Sequence, residues 1–380
     1  MDSILLGGDN YASARAMARM TGDLLRASHR IDSWPHTALL LEYDRIGDRL
    51  WEPDVFRQTS YCQNGLLNIE SFAHYHGAVT EEDLLASARG YVAQCKGLSS
   101  PPRTRHGRSE PVHAISVRPV AYSNLYQVID GHHRLAIAFM NGQSHVTCEV
   151  FGPPQTTPVQ DLLLDVFWQM GKRQLYQPVD LPEVRSWPVV RHCTDRLAKM
   201  IAFLGARGPS SLASSYLDVG CSYGWFVAEM AKAGFRATGV DRDPAAVQVG
   251  QCVYGNTEGQ VACRDCLTFL RELRGSGTKF DVVSCFSLLH HYIMNRCNVT
   301  AEEMLQLLDA ITGQVLFFDM GESGDKFFEG KVYEGWDADR IEQWLRSNTS
   351  FADVIRLGTD EDRVPPFQNS YGRMLFACVR

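Results

Sequence analysis

The sequence LDVGCSYG, residues 217–224, decides the fold of the second half of this chain. It lies between a strand pattern at residues 215–217 and a helix pattern at residues 225–232. A strand that turns into a helix through closely spaced glycines presents free backbone N–H groups and a positive helix end to a ligand. The next strand pattern ends in Asp241, whose carboxylate is suited to accept hydrogen bonds from both hydroxyls of a ribose. We therefore expect a nucleoside-containing cofactor at this turn.

The composition is that of an ordinary globular protein. The chain has 380 residues, enough for two domains with separate cores, and 45% of them are hydrophobic. A formal net charge of -7 argues against a general affinity for nucleic acid or anionic membrane. The 11 cysteines are an odd number scattered along the chain, which fits reduced thiols. No apolar run approaches a membrane span and no signal peptide is evident, so we expect a cytoplasmic protein.

The patterns divide the chain into four segments. Residues 1–50 are expected to be a helical segment, and residues 51–152 a smaller α+β domain interrupted by an exposed loop at 99–108. The Pro-bearing residues 153–170, which follow Gly152, are expected to be a linker. Strand and helix patterns then alternate through residues 171–380, which predicts an α/β domain with a Rossmann-like, doubly wound parallel sheet.

The glycine spacing separates two cofactor classes. A dinucleotide turn needs G-x-G-x-x-G, whereas here only Gly220 and Gly224 are present, with three residues between them. The stretch 218–224 resembles the first motif of class I S-adenosylmethionine-dependent methyltransferases, D/E-x-G-x-G-x-G, with Ser222 at the middle glycine.

Further motifs of that family follow in order. By the resemblance, Asp241 holds the ribose, residues 263–266 place an acidic side chain against the adenine amino group, and the strand at 280–287 ends beside the methionine part of the cofactor. Each motif alone has an ordinary structural explanation, since Asp241 and Asp243 could simply cap the next helix. Four motifs in order at the spacing of strand–helix units favour the cofactor site.

The histidine pair after the fourth strand is the candidate for proton transfer. His290 and His291 follow that strand directly, and an imidazole is a natural base for a sugar or phenolic hydroxyl. One of the two could instead be a structural histidine bonded to backbone, and the sequence does not separate them. Adjacent histidines at a helix start point in different directions, so we expect no metal site.

The flanks of the domain carry a closer resemblance. Residues 176–178, 187–188, 191–197, 286–291 and 363–366 resemble the methyltransferase half of bacterial O-antigen chain-terminating kinase–methyltransferases.

That resemblance implies that Tyr176 and Arg196 close over the methionine end of the cofactor, with Arg196 pairing its carboxylate. The alternative is that Arg191 and Arg196 are solvated on a helix. The expected cofactor-binding residues are Tyr176, Arg196, Asp218, Gly220, Cys221, Gly224, Asp241, Arg242, Asp265, Cys266 and Phe286.

A second motif lies in the first half of the chain. The sequence YQVIDGHHRLAIA, residues 126–138, runs from a strand into a helix whose start offers backbone donors beside imidazole and guanidinium groups, which suits a phosphate. It resembles the D-G-H-H-R motif of the ParB/sulfiredoxin fold, preceded by a strand at 112–117. Members of that fold bind nucleotide phosphates; some hydrolyse CTP, some are free-serine kinases and some reduce an oxidised cysteine. The expected phosphate-binding residues are Asp130, Gly131, His132, His133 and Arg134.

The sequence restricts the type of member. Sulfiredoxin-like repair would need a cysteine where Gly131 and His132 stand, and a DNA-binding role would need a basic helical partner domain. A kinase would need a carboxylate, for which Glu70 and Asp130 are candidates by chemical type alone. Two alternatives stay open: an active phosphotransferase using ATP or CTP, and a degenerate domain that binds or orients substrate.

These observations favour an S-adenosylmethionine-dependent O-methyltransferase acting on a saccharide, in cell-surface polysaccharide biosynthesis. One alternative is a bifunctional glycan kinase–methyltransferase; others are a nucleotide-sensing regulatory module and a small-metabolite methyltransferase. The expected partner is a saccharide or small-molecule acceptor, with no nucleic acid and no membrane span. The acceptor, the position methylated and the oligomeric state stay open.

Overall fold

A computed structural model describes residues 4–5, 16, 18, 20–97, 114–209, 213–257, 259–294, 296–323, 335–362, 364–367, 370 and 372–380. The loop expected at residues 99–108, the first two residues of the strand expected at 112–117, and Arg363 lie outside these described residues. The chain divides into two compact units. The N-terminal unit is Met1–Asp161 with Leu181–Ser186, and the C-terminal unit is Leu162–Asp180 with Trp187–Arg380.

The N-terminal unit combines a helical core with a small sheet. Its helices include α1 (Pro35–Ile46), α2 (Pro53–Gln58), α3 (Ser60–Phe72), α4 (Glu81–Cys95) and α5 (His132–Met140). Strands β1 (Ile4–Leu5), β2 (Ile115–Pro119), β3 (Tyr126–Asp130) and β4 (Cys148–Val150) pair in the order β1-β3-β2-β4, with β2 and β3 antiparallel. Helices α1, α3 and α4 share one apolar core. Residues 1–50, expected as a separate segment, therefore belong to the same unit as residues 51–152.

The segment 153–170, expected to be a linker, contains helix α6 (Pro158–Asp165) and a 3-10 turn at Phe167–Gln169. Pro158 is the first helical residue, where its fixed φ fits and its missing N–H is not needed. The Thr157 N–H donates to Gln160 Oε1 at 2.9 Å, and the Gln160 N–H donates to Thr157 Oγ1 at 3.3 Å. The Pro-rich composition that predicted a linker thus marks the start of a capped helix.

The C-terminal unit is built on a seven-stranded sheet. Its strands are β5 (Ser215–Val219), β6 (Arg236–Asp241), β7 (Val261–Cys263), β8 (Phe280–Phe286), β9 (Thr312–Asp319), β10 (Asp353–Thr359) and β11 (Met374–Val379). Its helices include α7 (Thr194–Arg207), α8 (Trp225–Lys232), α9 (Pro244–Tyr254), α10 (Cys266–Ser276), α11 (His290–Ile293), α12 (Ala301–Ile311) and α13 (Ala338–Asn348). The strand order is β10-β11-β9-β8-β5-β6-β7. Strand β11 pairs antiparallel with both of its neighbours, β10 and β9, and the other described pairs of this sheet are parallel. The predicted doubly wound, mostly parallel sheet is confirmed.

Both faces of this sheet are covered because alternate residues of its strands point to opposite sides. Leu217 and Phe318 belong to the apolar cluster that includes α10, α12 and α13. Their neighbours Tyr216 and Phe317 belong to the cluster that includes α7 and α8. The central strands are therefore buried on both faces, which explains their nearly continuous apolar sequences.

The strand order reverses between β5 and β8. From β5 the chain proceeds outward through β6 and β7, and β8 then returns to the other side of β5. The carboxyl ends of β5, β6 and β8 consequently border one crevice, and open parallel sheets bind their ligands at such a reversal. Among the described residues, no helix has both the length and the apolar composition needed to cross a membrane.

We predict that Gly250→Ala strongly destabilises the C-terminal unit. Gly-to-Ala in a helix usually stabilises by about 1 kcal/mol, but a Cβ on Gly250 in α9 would lie 1.9 Å from the Tyr223 carbonyl oxygen. We expect a loss of about 3 kcal/mol or more in the free energy of unfolding, measured by urea denaturation. Gly205→Ala in α7 is the matched control, because no atom of the described residues lies within 4 Å of that Cβ. Equal effects of the two substitutions would contradict the packing of α9 against the turn.

Candidate functional site

The glycine turn uses its backbone amides internally. The N–H groups of Gly220 and Cys221 both donate to the Val240 carbonyl oxygen, at 2.9 and 3.1 Å. The Ser222 N–H donates to Asp241 Oδ2 at 2.7 Å. The expectation of free N–H donors at these three residues is therefore wrong, because their N–H groups form hydrogen bonds that join the end of β5 to the end of β6. The turn shapes the site and does not supply a ring of donors.

Backbone conformation explains which residues the turn accepts. Gly220, Ser222 and Gly224 all have positive φ, at 74°, 52° and 75°. A Cβ on Gly224 would lie 2.7 Å from Asn256 Nδ2, which donates to the carbonyl oxygens of Tyr223 and Gly224. Ser222 therefore occupies a left-handed conformation where the family pattern has glycine.

Asp241 is fixed at the end of β6. Its two carboxylate oxygens accept from the backbone N–H groups of Ser222 and Asp243, at 2.7 and 2.9 Å. Burial raises the pKa of this carboxyl group above its usual value, while the two backbone hydrogen bonds lower it. Each oxygen keeps a second lone pair, so a correctly oriented carboxylate remains able to accept from a diol.

Asp218 is a buried acid on β5. The Ser284 hydroxyl donates to Asp218 Oδ1 at 2.6 Å, and the Tyr216 hydroxyl lies 2.5 Å from Ser284 Oγ. Burial raises the pKa of the Asp218 carboxyl group to about 7, although the hydrogen bond from Ser284 lowers it. Asp218 borders a small cavity together with Gly220 and Phe286.

Two pockets meet at the glycine turn, sharing Gly220 and Asp241. The Asp265 pocket has a volume of about 560 Å³ and is lined by Arg242, Asp265 and Cys266. The His290 pocket has a volume of about 480 Å³ and is lined by Tyr176, Phe286, His290 and His291 among others. Both volumes lie within the range of about 300–1,000 Å³ that is usual for small-molecule sites.

Four of the expected cofactor residues border neither of these two pockets. Asp218 and Arg196 line the small cavity that also borders Gly220. The Cys221 side chain is buried in the apolar cluster beneath α8. Gly224 lies at the start of α8 against Asn256. Asp265 does line the Asp265 pocket, but it also caps α10, since its Oδ1 accepts from the Thr268 N–H and hydroxyl at 2.9 Å each.

Arg196 is buried in a network of ion pairs. Its Nη1 lies 2.9 Å from Asp319 Oδ2, and its Nη2 lies 3.3 Å from Asp362 Oδ2. Its guanidinium carbon lies 5.6 Å from the centre of the Phe286 ring. Arg196 Nε is buried with no hydrogen-bond partner in the described part of the chain, and Arg196 lines the small cavity beside Gly220. The reading of Arg196 as a solvated helix residue is therefore wrong.

The two histidines of α11 differ in their surroundings. His290 is 4% exposed, and the Gly321 N–H donates to its Nδ1 at 3.4 Å. His291 is half-buried; its ring stacks on Trp168 with 4.9 Å between ring centres, and Arg296 Nη1 lies 3.4 Å from its Nδ1. Burial lowers the pKa of His290 well below its usual value and that of His291 to about 4. Both imidazoles are therefore neutral at neutral pH.

Sequence analysis missed an aromatic wall of both pockets. Phe167 and Trp168 line the Asp265 and His290 pockets, and the Phe167 N–H donates to Asp243 Oδ2 at 2.7 Å. These residues lie in the segment expected to be a linker. Two adjacent aromatic residues are unusual in a linker, and this was the available signal.

The phosphate-binding residues predicted in the N-terminal unit are Asp130, Gly131, His132, His133 and Arg134. Arg134 forms an ion pair with Asp130 at 2.9 Å, at the junction of β3 and α5. The imidazoles turn inward: the ring centre of His132 lies 5.5 Å from that of Trp34, and His133 Nε2 lies 3.1 Å from the Tyr61 hydroxyl. Within this motif, the Asp130–Arg134 ion pair is therefore half-exposed, whereas His132 and His133 are largely buried.

We predict that Asp218 makes the C-terminal unit less stable as pH rises. A carboxyl group with a pKa near 7 in the folded state and 3.8 in the unfolded state stabilises fully below pH 3.8, and this contribution is lost as pH rises through about 7. The free energy of unfolding of wild type, relative to Asp218→Asn, should fall by up to about 4 kcal/mol between pH 4 and 7. Urea denaturation at several pH values measures it.

Asp281→Asn serves as the control, because the contribution of Asp281 to the free energy of unfolding changes with pH in the opposite direction. Hydrogen bonds from Ser215 lower the pKa of Asp281, so its contribution is lost as pH falls through the folded-state pKa. Parallel pH profiles for wild type and Asp218→Asn would show that Asp218 is ionised in the folded protein, contrary to this prediction.

Residues 189–349 match the model of a family described as a methyltransferase domain. The matched segment contains the glycine turn, Asp241 and the histidine pair. The ubiquinone biosynthesis O-methyltransferase of Alkalilimnicola ehrlichii is 38% identical over 76 residues, which amount to 20% of this chain and 30% of that protein. The chain thus spans less than a third of the length of that curated relative.

Two solved structures align with the chain at low identity. The bifunctional kinase-methyltransferase WbdD is 16% identical over 58% of this chain and 46% of that chain, with a TM-score of 0.43. The magnesium protoporphyrin IX methyltransferase ChlM of Synechocystis PCC 6803, solved with bound SAM, is 20% identical over 49% of this chain and 79% of that chain, with a TM-score of 0.34. The family match makes residues 189–349 similar to a methyltransferase domain.

Proposed function

We propose that the chain is an S-adenosylmethionine-dependent O-methyltransferase that acts on a hydroxyl of a saccharide, in cell-surface polysaccharide biosynthesis. The observation that carries the proposal is a neutral histidine, His291, on the border of both pockets that meet at the glycine turn. The O-methyltransferase relative supports transfer to oxygen.

The residues present fit the cofactor at both of its ends. We assign the ribose to the Asp241 carboxylate and the adenine to Asp265 and Cys266, because all three residues line the Asp265 pocket. Arg196, with its unpaired and buried Nε beside Gly220, suits the carboxylate of the methionine part. A Cβ on Gly220 would lie 3.3 Å from Leu288 Cδ2. Glycine at this position therefore leaves more space for the cofactor, at the point where the turn borders the pockets, than any other residue would.

When bound, S-adenosylmethionine supplies a methyl group on a positively charged sulfur. The protein has to orient the acceptor hydroxyl in line with that methyl group and receive its proton. We assign proton transfer to His291 and not to His290, because His290 is buried and its Nδ1 accepts the Gly321 N–H.

The Nδ1 atom of His291 takes the proton. In the structure this atom faces a donor, Arg296, at 3.4 Å, so the neutral ring carries its hydrogen on Nε2. The acceptor hydroxyl would replace Arg296, an exposed residue, at Nδ1. A pKa near 4 suffices, because the hydroxyl becomes strongly acidic as its oxygen bonds to the methyl carbon.

The walls of the His290 pocket support a hydroxylated ring as acceptor. Trp168 and Phe367 offer aromatic faces, and Lys172, Gln174 and Ser370 offer polar groups around them. Aromatic faces suit the C–H surfaces of a sugar while the polar groups pair with its hydroxyls. The resemblance of residues 176–197 and 286–291 to chain-terminating methyltransferases points to the same acceptor class.

For the N-terminal unit, the proposal includes a ParB/sulfiredoxin-like domain over residues 51–152 that binds ATP or CTP. The support is the D-G-H-H-R motif and the strand–turn–helix around Gly131, whose φ is 99°. The proposal also places the protein in the cytoplasm, on the sequence composition.

The test of the methyl-transfer proposal uses labelled cofactor with fractionated cell glycans and small metabolites, followed by mass spectrometry. We expect a labelled methyl ether in a glycan fraction, lost with Asp241→Ala and kept with Asp353→Ala, an exposed residue at the far edge of the sheet. Label in a small metabolite alone would refute the saccharide. Absence of both label and cofactor binding by calorimetry would refute the whole proposal.

We predict that His291→Ala lowers kcat by about 10²- to 10⁴-fold while cofactor affinity changes little. Because burial lowers the pKa of His291 to about 4, kcat of the wild type should be constant above pH 6 and fall only as the imidazole protonates near pH 4. Steady-state rates over this pH range measure both effects. His145→Ala, an exposed histidine, is the control, and an unchanged rate in His291→Ala would exclude it as the base.

A further inference from the structure

Three histidines converge in the N-terminal unit, from positions far apart in the sequence. His36 belongs to α1, His76 lies in the turn after α3, and His133 belongs to α5. One ring nitrogen from each lies within 4.8 Å of one from each of the others. We propose that His36, His76 and His133 form a binding site for Zn²⁺ with three imidazole ligands and an open fourth position.

The ring positions match such a site. Zinc–nitrogen bonds of about 2.0–2.1 Å in tetrahedral geometry place the centres of the imidazole rings about 5 Å apart. The ring centres of His36 and His133 are 4.5 Å apart, those of His76 and His133 4.7 Å, and those of His36 and His76 5.9 Å. Small side-chain rotations therefore bring all three nitrogens to bonding distance.

Hydrogen bonds orient two of the ligands. His36 Nε2 lies 3.3 Å from the Tyr75 hydroxyl, and His133 Nε2 lies 3.1 Å from the Tyr61 hydroxyl. Metal-binding histidines characteristically engage their second nitrogen in this way, which fixes the tautomer and the ring plane. This leaves His36 Nδ1 for the metal, since that atom is buried with no hydrogen-bond partner among the described residues.

The protonation state suits a metal as well. Burial, followed by the neighbouring imidazoles, lowers the pKa of His133 to about 3 and that of His36 well below its usual value. Both rings are neutral at neutral pH, which is the form that binds metals. Borderline-soft imidazole nitrogens without a carboxylate favour Zn²⁺ over Mg²⁺ or Ca²⁺.

The backbone holds the third ligand in an unusual conformation. His76 has φ 48° and Gly77 φ 86°, in a two-residue turn closed by two hydrogen bonds of 2.9 Å between Tyr75 and Ala78. A left-handed non-glycine residue is costly and is typical of functional positions. His76 is also exposed, so the fourth position faces solvent and takes a water molecule or a small anion.

We expect full-length protein without a polyhistidine tag, dialysed against Zn²⁺ and then against metal-free buffer, to retain about one zinc per chain by mass spectrometry of the metal. His76→Ala should retain less than about a tenth of that amount. Because His76 is exposed, this variant should fold normally, which circular dichroism checks. His74→Ala, an exposed histidine two residues away, is the matched control and should keep its zinc.

Cobalt distinguishes this site from the cysteines of the chain. Co²⁺ on three imidazoles and water gives visible d–d absorption without the intense near-ultraviolet band of a thiolate ligand. Zinc should also raise Tm of wild type and His74→Ala but not of His76→Ala. Wild type without bound metal, zinc retention in His76→Ala equal to that of wild type, or a thiolate band would each overturn the proposal.

Discussion

Two buried arginines and three buried aspartates hold together the carboxyl edge of the larger sheet. Arg191 lies within 3.2 Å of Asp319, Asp360 and Asp362, and Arg196 pairs with Asp319 and Asp362. Arg191 lies just before α7 and Arg196 within it, whereas the aspartates come from the end of β9 and the segment after β10. Removing one partner of a buried ion pair costs about 3–5 kcal/mol, because the other charge stays buried alone.

The same network positions the histidine pair. Asp319 Oδ1 accepts the Ser287 N–H at 2.7 Å, and Arg373 Nη1 donates to Ser287 Oγ at 2.7 Å. Ser287 has φ 56° and lies between β8 and α11, so its conformation sets the direction in which α11 leaves the sheet. The buried charges therefore act on the site in two ways: through the backbone geometry that they fix and through their electrostatic field.

Sequence patterns predicted the parts of this site that the backbone dictates. The parallel sheet, the turn at residues 220–224 and the acid at the end of β6 follow from glycine spacing and alternating strand and helix patterns. The use of the turn amides could not be predicted, because their acceptors, Val240 and Asp241, belong to the neighbouring strand. Phe167 and Trp168 were missed for a related reason: prolines at 153, 154 and 158 indicated a linker, whereas Pro158 begins a capped helix.

The histidine cluster is a clearer case of contacts between distant residues that the sequence could not predict. A zinc motif is recognised in sequence by its short, fixed spacing, but His36, His76 and His133 come from a helix, a turn and a second helix. Within the D-G-H-H-R motif, both imidazoles were assigned to a phosphate because they stand at a helix start and because the motif resembles that of the ParB/sulfiredoxin fold. In the structure, the Asp130–Arg134 ion pair is half-exposed, whereas the two imidazoles point inward. The direction of α5 causes this difference, and only tertiary packing determines that direction.

In the proposed methyltransferase site, the residues assigned to the methyl donor and those assigned to the acceptor lie in different kinds of secondary structure. Residues assigned to the methyl donor lie mainly at the ends of β5, β6 and β8, where hydrogen bonds between strands fix them. Residues assigned to the acceptor, such as Trp168, Lys172 and Phe367, lie outside the strands, in segments 167–174 and 364–370. Strand ends are constrained by the fold, whereas such segments vary without disturbing the core. A sequence can therefore identify the donor through the fold while the acceptor depends on side chains that no strand pattern specifies.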